Sequence, residues 1–252
     1  MKKLFFMANW KCNINTAKTI EFMKEFDKLY KELVKNTDKE LIFNNNEIVI
    51  APSLVSLGVF KSPLIPKIPN LELGAQNVSA YGYGPYTGEV CAEMLHALDV
   101  KYVIVGHCER RKHCKEDDEL VYKKVKNVIN ANMIPIICVG ESEEENKTEK
   151  TKQIIEKQIL NAIKDLDYEK LIISYEPTWA VGSHAAIPDQ ANEICKFIKK
   201  ITSNKCKVLY GGSVNIKNVD KLASQEYIDG FLIGTASLNP KEFLEITTCE
   251  ID

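Results

Sequence analysis

Short apolar runs of four to six residues punctuate this chain at nearly regular intervals. They are "LFFMAN", "EIVIAP", "LELGAQ", "YVIVGH", "IPIICVGE", "LIISYE", "KVLYGG" and "IDGFLIG". They are continuous rather than alternating, as in strands buried on both faces of a parallel sheet. Between most of them the apolar positions recur at helical spacing. Ile20, Met23, Leu29 and Leu33 form one such stripe. Val121, Val125, Val128 and Ile129 form another, and its helix opens on Asp117, Asp118 and Glu119, the charge order that suits the helix dipole. Ile155, Ile159 and Ile163 mark a further helix, and Ala191, Ile194, Cys195 and Ile198 the next. The Pro-rich run from Val55 to Asn70 predicts only a short helix.

Eight strand–helix units in 252 residues average about 31 residues each, close to what a βαβ repeat requires. That count predicts one closed (β/α)8 barrel over residues 1–252 rather than an open doubly wound sheet. No G-x-G-x-x-G follows the first strand, so the main signature of a dinucleotide fold is missing.

In a barrel the carboxyl ends of the strands form one mouth, where active sites lie. Here those ends are polar. The first strand runs into Asn9 and Lys11, the third into Gln76 and Asn77, the fourth into His107, the fifth into Glu141. The sixth ends at Glu176, the seventh at Ser213, and the eighth at Gly234 and Thr235. Any one of these is a common surface feature. Their convergence on one face is not explained by folding alone.

Composition changes the picture little. Lys plus Arg total 33 and Asp plus Glu 35, a formal charge of −2, which gives no reason to expect nucleic acid as partner. No apolar run approaches the length of a membrane span, and Leu4–Ala8 is too short for the apolar region of a signal peptide. The eight cysteines lack C-x-x-C spacing and the four histidines lack ligand periodicity, so neither a metal centre nor a disulfide framework is expected. Reduced thiols in a cytoplasmic protein are the expectation.

The titratable set at the mouth is Lys11, His107, Glu109, Glu141 and Glu176. A carboxylate base, a histidine and a lysine suit proton transfer beside a carbonyl. Glu176 would take the carbon-bound proton, His107 would act at the oxygen, and Lys11 would stabilise the developing oxyanion. Glu109 reads as an orienting ion-pair partner of Arg110, Arg111 or Lys11. The "YGGSV" and "GFLIGTASL" segments pair small residues with helix starts, where backbone N–H groups bind phosphate. Another phosphate-binding barrel enzyme, or a barrel retained only for binding, remains open on these residues alone.

The motifs "NWKCN" (9–13), "TGEV" (87–90), "GHCERR" (106–111), "CVGE" (138–141), "YEPTWAVG" (175–182), "YGGSV" (210–214) and "GTASL" (234–238) occur in order. Together they resemble the triosephosphate isomerase family. The resemblance implies a TIM barrel that interconverts dihydroxyacetone phosphate and glyceraldehyde 3-phosphate through an enediolate, with no cofactor. It implies that Glu176 is the base, His107 the electrophile, and Asn9 and Lys11 the substrate-orienting pair. Gly182, Ser213, Gly234 and Thr235 match phosphate-contacting positions. Pro177, Trp179, Gly182 and Ser183 match a mobile lid, with Pro177 and Trp179 as its stiff hinge.

The resemblance also implies a homodimer in which "NVSAYGYGPYTGEV" enters a neighbouring subunit near Cys12, with Tyr86 and Thr87 at the interface. Tyr81, Tyr83 and Tyr86 suit a buried contact better than a solvated loop tip. Three departures from the family pattern stand out. Cys108 occupies the position of a usual Ser, Thr235 that of a common Gly, and the segment before Pro188 is one residue short.

Overall fold

The computed structural model describes residues 2–180 and 188–250. Eight parallel strands close into a barrel in sequence order: β1 (Phe5–Asn9), β2 (Glu47–Ala51), β3 (Leu71–Ala75), β4 (Val100–Val105), β5 (Ile134–Val139), β6 (Ile172–Tyr175), β7 (Lys207–Tyr210) and β8 (Gly230–Ile233). Closure is direct, with β1 pairing β2 on one side and β8 on the other. All eight apolar runs of the sequence are strands.

Their period of two divides the core. Phe5 and Met7 of β1 point inward and pack with Val49, Tyr102, Ile136, Cys138, Ile172 and Leu209 in a closed interior cluster. The alternate positions, Phe6 and Ala8 among them, face outward into a larger layer shared with the helices. This double burial is why the strands read as continuous apolar runs. At the amino-terminal end Tyr102 donates its hydroxyl proton to Glu47, which also accepts from Lys207 at 2.7 Å. The charges at that end are therefore tied off in structural pairs.

The outer ring contains the four helices that the apolar stripes predict: Thr16–Leu33, Asp118–Asn130, Thr151–Ile163 and Pro188–Ile201. Two others lack a visible stripe. Thr37–Asn45 buries only Phe43 and is held at its start by Asn36, whose side chain accepts from the N–H groups of Asp38 and Lys39. Glu143–Lys147 buries no residue and begins with a capping box between Ser142 and Glu145. The Pro-rich stretch forms one turn, Leu54–Leu57, running into a 3₁₀ segment, Gly58–Lys61.

Candidate active site

Asn9 ends β1 and is buried at 5% exposure. Its side-chain oxygen accepts the backbone N–H of Lys11 at 3.2 Å, folding the chain back on itself. Lys11 takes φ +50°, a conformation that costs a non-glycine residue about 1–3 kcal/mol and persists only where its surroundings hold it. Gln76 is one such restraint, donating to Lys11 O at 2.9 Å and to Ala51 O at 3.0 Å. The strain fixes the direction in which the lysine leaves the chain. Its ammonium donates to Glu109 Oε1 at 2.6 Å.

Of the three partners that the sequence offered Glu109, the structure selects Lys11. Arg110 instead pairs with Glu116 at 2.5 Å, and Arg111 with Asp118 at 2.7 Å. Burial pushes the Glu109 carboxyl up, but the hydrogen bond to Lys11 and the Lys11 charge outweigh it and hold it below the ordinary value.

His107 caps the helix Cys108–His113. Its Nδ1 accepts the backbone N–H of Glu109 at 3.2 Å. A ring nitrogen that accepts in this way carries no proton, so the proton of the neutral ring belongs on Nε2. That Nε2 lies 3.7 Å from Glu176 Oε1. Helix capping thus fixes both the tautomer and the aim of the imidazole.

Glu176 follows β6 directly and is 2% exposed. Its backbone N–H donates to Val139 O at 2.7 Å. One carboxylate oxygen, Oε2, accepts the backbone N–H of Cys108 at 3.2 Å. The other, Oε1, meets no hydrogen-bond partner among the described residues. An unpaired oxygen on a buried carboxylate is costly unless a substrate proton is its partner.

Two glycines make room for this side chain. A Cβ at Gly140 would lie 1.9 Å from Glu176 O, and one at Gly211 would lie 2.8 Å from Glu176 Cγ and 2.7 Å from Ser174 Oγ. Neither appears among the site residues expected from the sequence, where Gly211 is part of the "YGGSV" phosphate segment and Gly140 only of the motif "CVGE". The signal that could have found them is their position immediately before Glu141 and at the end of the strand next to β6.

Two cavities meet at Glu176. The first, of about 330 Å³, is lined by Asn9, Lys11, His107, Glu176, Ser213 and Thr235, together with Gly211, Gly212 and Gly234. The 3₁₀ turn Thr235–Leu238 begins at its edge, and Ser237 Oγ is turned away into Ile233 O and Gly234 O. The second, of about 570 Å³, lies on the other side of the carboxylate against Cys108, Arg111, Cys138, Gly140 and Thr178.

Glu141, placed by the sequence among the titratable groups of the mouth, is fully buried and directed away from the first cavity's lining. Its Oε1 accepts from Tyr175 OH at 3.1 Å, Asn146 Nδ2 at 3.0 Å and Trp179 Nε1 at 2.9 Å. It is an anchor for the turn that follows Glu176.

The structure brings Asn9, Lys11, His107, Glu109, Glu176, Ser213, Gly234 and Thr235 to one end of the barrel. Pro177 and Trp179 continue directly from Glu176. Gly182 and Ser183 lie outside the described residues. Cys12 lines a further cavity of about 420 Å³ beside the mouth, with Asn77, Gly88, Glu89 and Cys114.

The model of the family described as triosephosphate isomerase matches residues 4–250. The chain belongs to the triosephosphate isomerase family. It is 41% identical over 249 residues to the triosephosphate isomerase of Mesomycoplasma hyorhinis, covering 98% of this chain and 99% of that one. It is 43% identical over 249 residues to that of Mycoplasmopsis pulmonis, covering 98% of each. The isomerase of Dictyoglomus thermophilum is 40% identical over 258 residues, covering 98% of this chain and 99% of that one. With the family shown, the alternative of an unrelated phosphate-binding barrel falls away. Among the described residues no helix is long and apolar enough to cross a membrane.

Proposed function

We propose that this triosephosphate isomerase-family enzyme interconverts dihydroxyacetone phosphate and D-glyceraldehyde 3-phosphate, in glycolysis and gluconeogenesis, by proton transfer through an enediolate. The observation that carries the assignment of roles is the pairing of His107 Nε2 with the unpartnered Glu176 Oε1, 3.7 Å apart on one wall of the cavity.

Glu176 takes the proton from one carbon of the substrate and returns it to the neighbouring carbon. A base bounded by Gly140 and Gly211, with one oxygen held by Cys108 N–H, keeps its second oxygen directed at the substrate. His107 donates from Nε2 to the substrate oxygens, because Nδ1 is occupied by the Glu109 amide. Lys11 supplies positive charge to the developing enediolate, and Asn9 holds both the Lys11 turn and the substrate. Glu109 sets the ammonium position and does not itself touch the substrate. That pairing of a carboxylate base with a neutral histidine is already known for the family.

The phosphate occupies the end of the cavity formed by Ser213, Gly234 and Thr235. Backbone N–H groups there offer hydrogen bonds without a full positive charge. Thr235 serves through its backbone, so a side chain in place of glycine is tolerated. Gly182 and Ser183, outside the described residues, match the family's lid, for which Pro177 and Trp179 serve as hinge. No cofactor or metal takes part in the isomerisation.

The working unit is a homodimer in the cytoplasm. Tyr81, Tyr83 and Tyr86 are all exposed, and Tyr81 and Tyr86 stack at 4.3 Å. Such a rigid aromatic projection favours insertion into a partner. The cavity lined by Cys12 receives the partner's loop near Thr87. The eight free thiols suit a reducing compartment.

A coupled assay with glyceraldehyde 3-phosphate tests the reaction, and Glu176→Gln and His107→Gln test the roles. Loss of turnover by orders of magnitude with the fold intact is expected. Full activity in either variant removes that residue from the mechanism.

A further inference from the structure

We propose that soft divalent cations such as Cd²⁺ and Zn²⁺ bind in the mouth of this barrel through His107, Cys108 and Glu176, and inhibit the enzyme by occupying its base. The sequence shows no ligand spacing, because Glu176 lies 68 positions from Cys108. The fold removes that separation. A ring nitrogen of His107, the thiol sulfur of Cys108 and a carboxylate oxygen of Glu176 all lie within 4.8 Å of one another. Cys108 Sγ lies 3.8 Å from His107 Nδ1.

Tetrahedral zinc with ligand bonds of about 2.0–2.3 Å holds neighbouring ligand atoms about 3.3–3.7 Å apart. The group therefore needs side-chain adjustments of about an ångström or less to close on an ion, and no backbone rearrangement. An independent feature points to the same place. Glu176 Oε1 is buried and has no hydrogen-bond partner among the described residues, so it is an acceptor already stripped of competing donors. The cavity of about 570 Å³ that contains Cys108 and Glu176 provides the approach. Imidazole nitrogen, thiolate and carboxylate form a donor set suited to zinc and cadmium, and three protein ligands leave a fourth position for water.

The step is a ligand exchange without redox chemistry. The Cys108 thiol releases its proton to solvent as sulfur bonds the metal, Glu176 binds as the carboxylate, and the neutral His107 ring binds through Nδ1, exchanging the Glu109 N–H that it otherwise accepts for the metal. The bound ion removes the lone pair that Glu176 needs for carbon acid chemistry. It also occupies the space between base and histidine, so it competes with triose phosphate.

The inhibition arm rests on the roles proposed above for Glu176 and His107; the spectroscopic arm does not. The purified enzyme is titrated with CdCl2, with MgCl2 as the hard-cation control, and both initial rates and the ultraviolet thiolate-to-cadmium band are recorded. Expected results are inhibition by cadmium that rises with falling triose phosphate, none by magnesium, and a band reduced in Cys108→Ser relative to the parent. Cys108→Ser and Cys108→Ala, each referred to its own uninhibited rate, should need at least about tenfold more cadmium, the lower end of the loss seen when even an outer-shell partner is removed. A cadmium band unchanged in Cys108→Ser overturns the site, whatever the inhibition shows. A lost band with unaltered inhibition keeps the metal site and overturns its overlap with the base.

Discussion

Trp179 donates its indole N–H to Glu141 Oε1 at 2.9 Å, and so ties the turn after Glu176 to the end of the neighbouring strand. The same carboxylate oxygen accepts from Tyr175, the residue before Glu176. Glu141 O accepts from Thr178 through both its backbone N–H, at 3.1 Å, and its hydroxyl, at 2.9 Å. Glu176 therefore sits between two residues fixed to one buried anchor, with Pro177 limiting the backbone on its far side. The Pro–Trp pair after the strand is explained by what it holds in place.

Removal of that anchor is expected to unfasten the base as well as the fold. Glu141→Ala leaves the donors of Tyr175, Trp179 and Asn146 without their acceptor, and buried unpaired polar groups cost about 1–3 kcal/mol each. A stability loss on the order of 2–4 kcal/mol is expected by denaturant titration, together with a lower kcat. Glu141→Gln keeps one acceptor oxygen and should fall in between. Unchanged stability in Glu141→Ala would mean that the anchor is dispensable.

Room around the base is a separate requirement. Gly211→Ala forces a methyl group against Glu176 Cγ and Ser174 Oγ. Displacement of a reacting group by about 1 Å can cost about a hundredfold in rate. We expect kcat to drop by about that factor while KM moves much less. Glu176→Asp, which withdraws the carboxylate by one methylene, should show the same split. A change confined to KM in both variants would show that base position does not control the chemical step.

The Lys11–Glu109 pair gives a sign for acid behaviour. The Glu109 carboxyl lies below its ordinary value of 4.5. Its stabilising contribution is therefore complete above about pH 4.5 and is lost as pH falls through the lower folded-state value. Both side chains are partly exposed, so the effect is small. Acid titration of Glu109→Gln against the parent should show a modest deficit near neutral pH that disappears at the acid end. A difference that grows as pH falls has the wrong sign for this pairing.

The sequence carried the barrel because its strands are buried on both faces, which turns each into an unmistakable apolar run with a polar carboxyl end. The positions of His107, Lys11 and Glu176 at the strand ends were legible because each directly follows or closely trails such a run. The helix Thr37–Asn45 was not legible, since a helix that buries only Phe43 has no stripe to read. Its capping signal at Asn36 was present but local. The role of Glu141 was hidden for a different reason: a strand-end carboxylate looks the same whether it faces the cavity or a buried tryptophan. Contacts such as Cys108 N–H to Glu176 Oε2 join residues far apart in the chain, and no local pattern encodes them.

Alkylation of the thiols tests the assembly. Cys12 and Cys114 are exposed in the single chain, whereas Cys138, Cys195 and Cys206 are buried. Burial pushes the thiols of these three up, and it pushes up Cys108 together with the charge of Glu176. Since the thiolate is the reactive form, these four should react slowly with iodoacetamide at neutral pH whatever the protein concentration. Cys12 and Cys114 line one cavity with Gly88 and Glu89. A partner's loop seated there shields both. Their labelling should then be slow at high protein concentration and accelerate on dilution, in step with loss of activity and with the appearance of monomer in sedimentation. Mass spectrometry of each cysteine-containing peptide gives the rates separately, and the buried thiols report any unfolding. Rapid labelling of Cys12 at every concentration, in a sample that stays active and sediments as monomer, would show that the aromatic loop has no partner to enter.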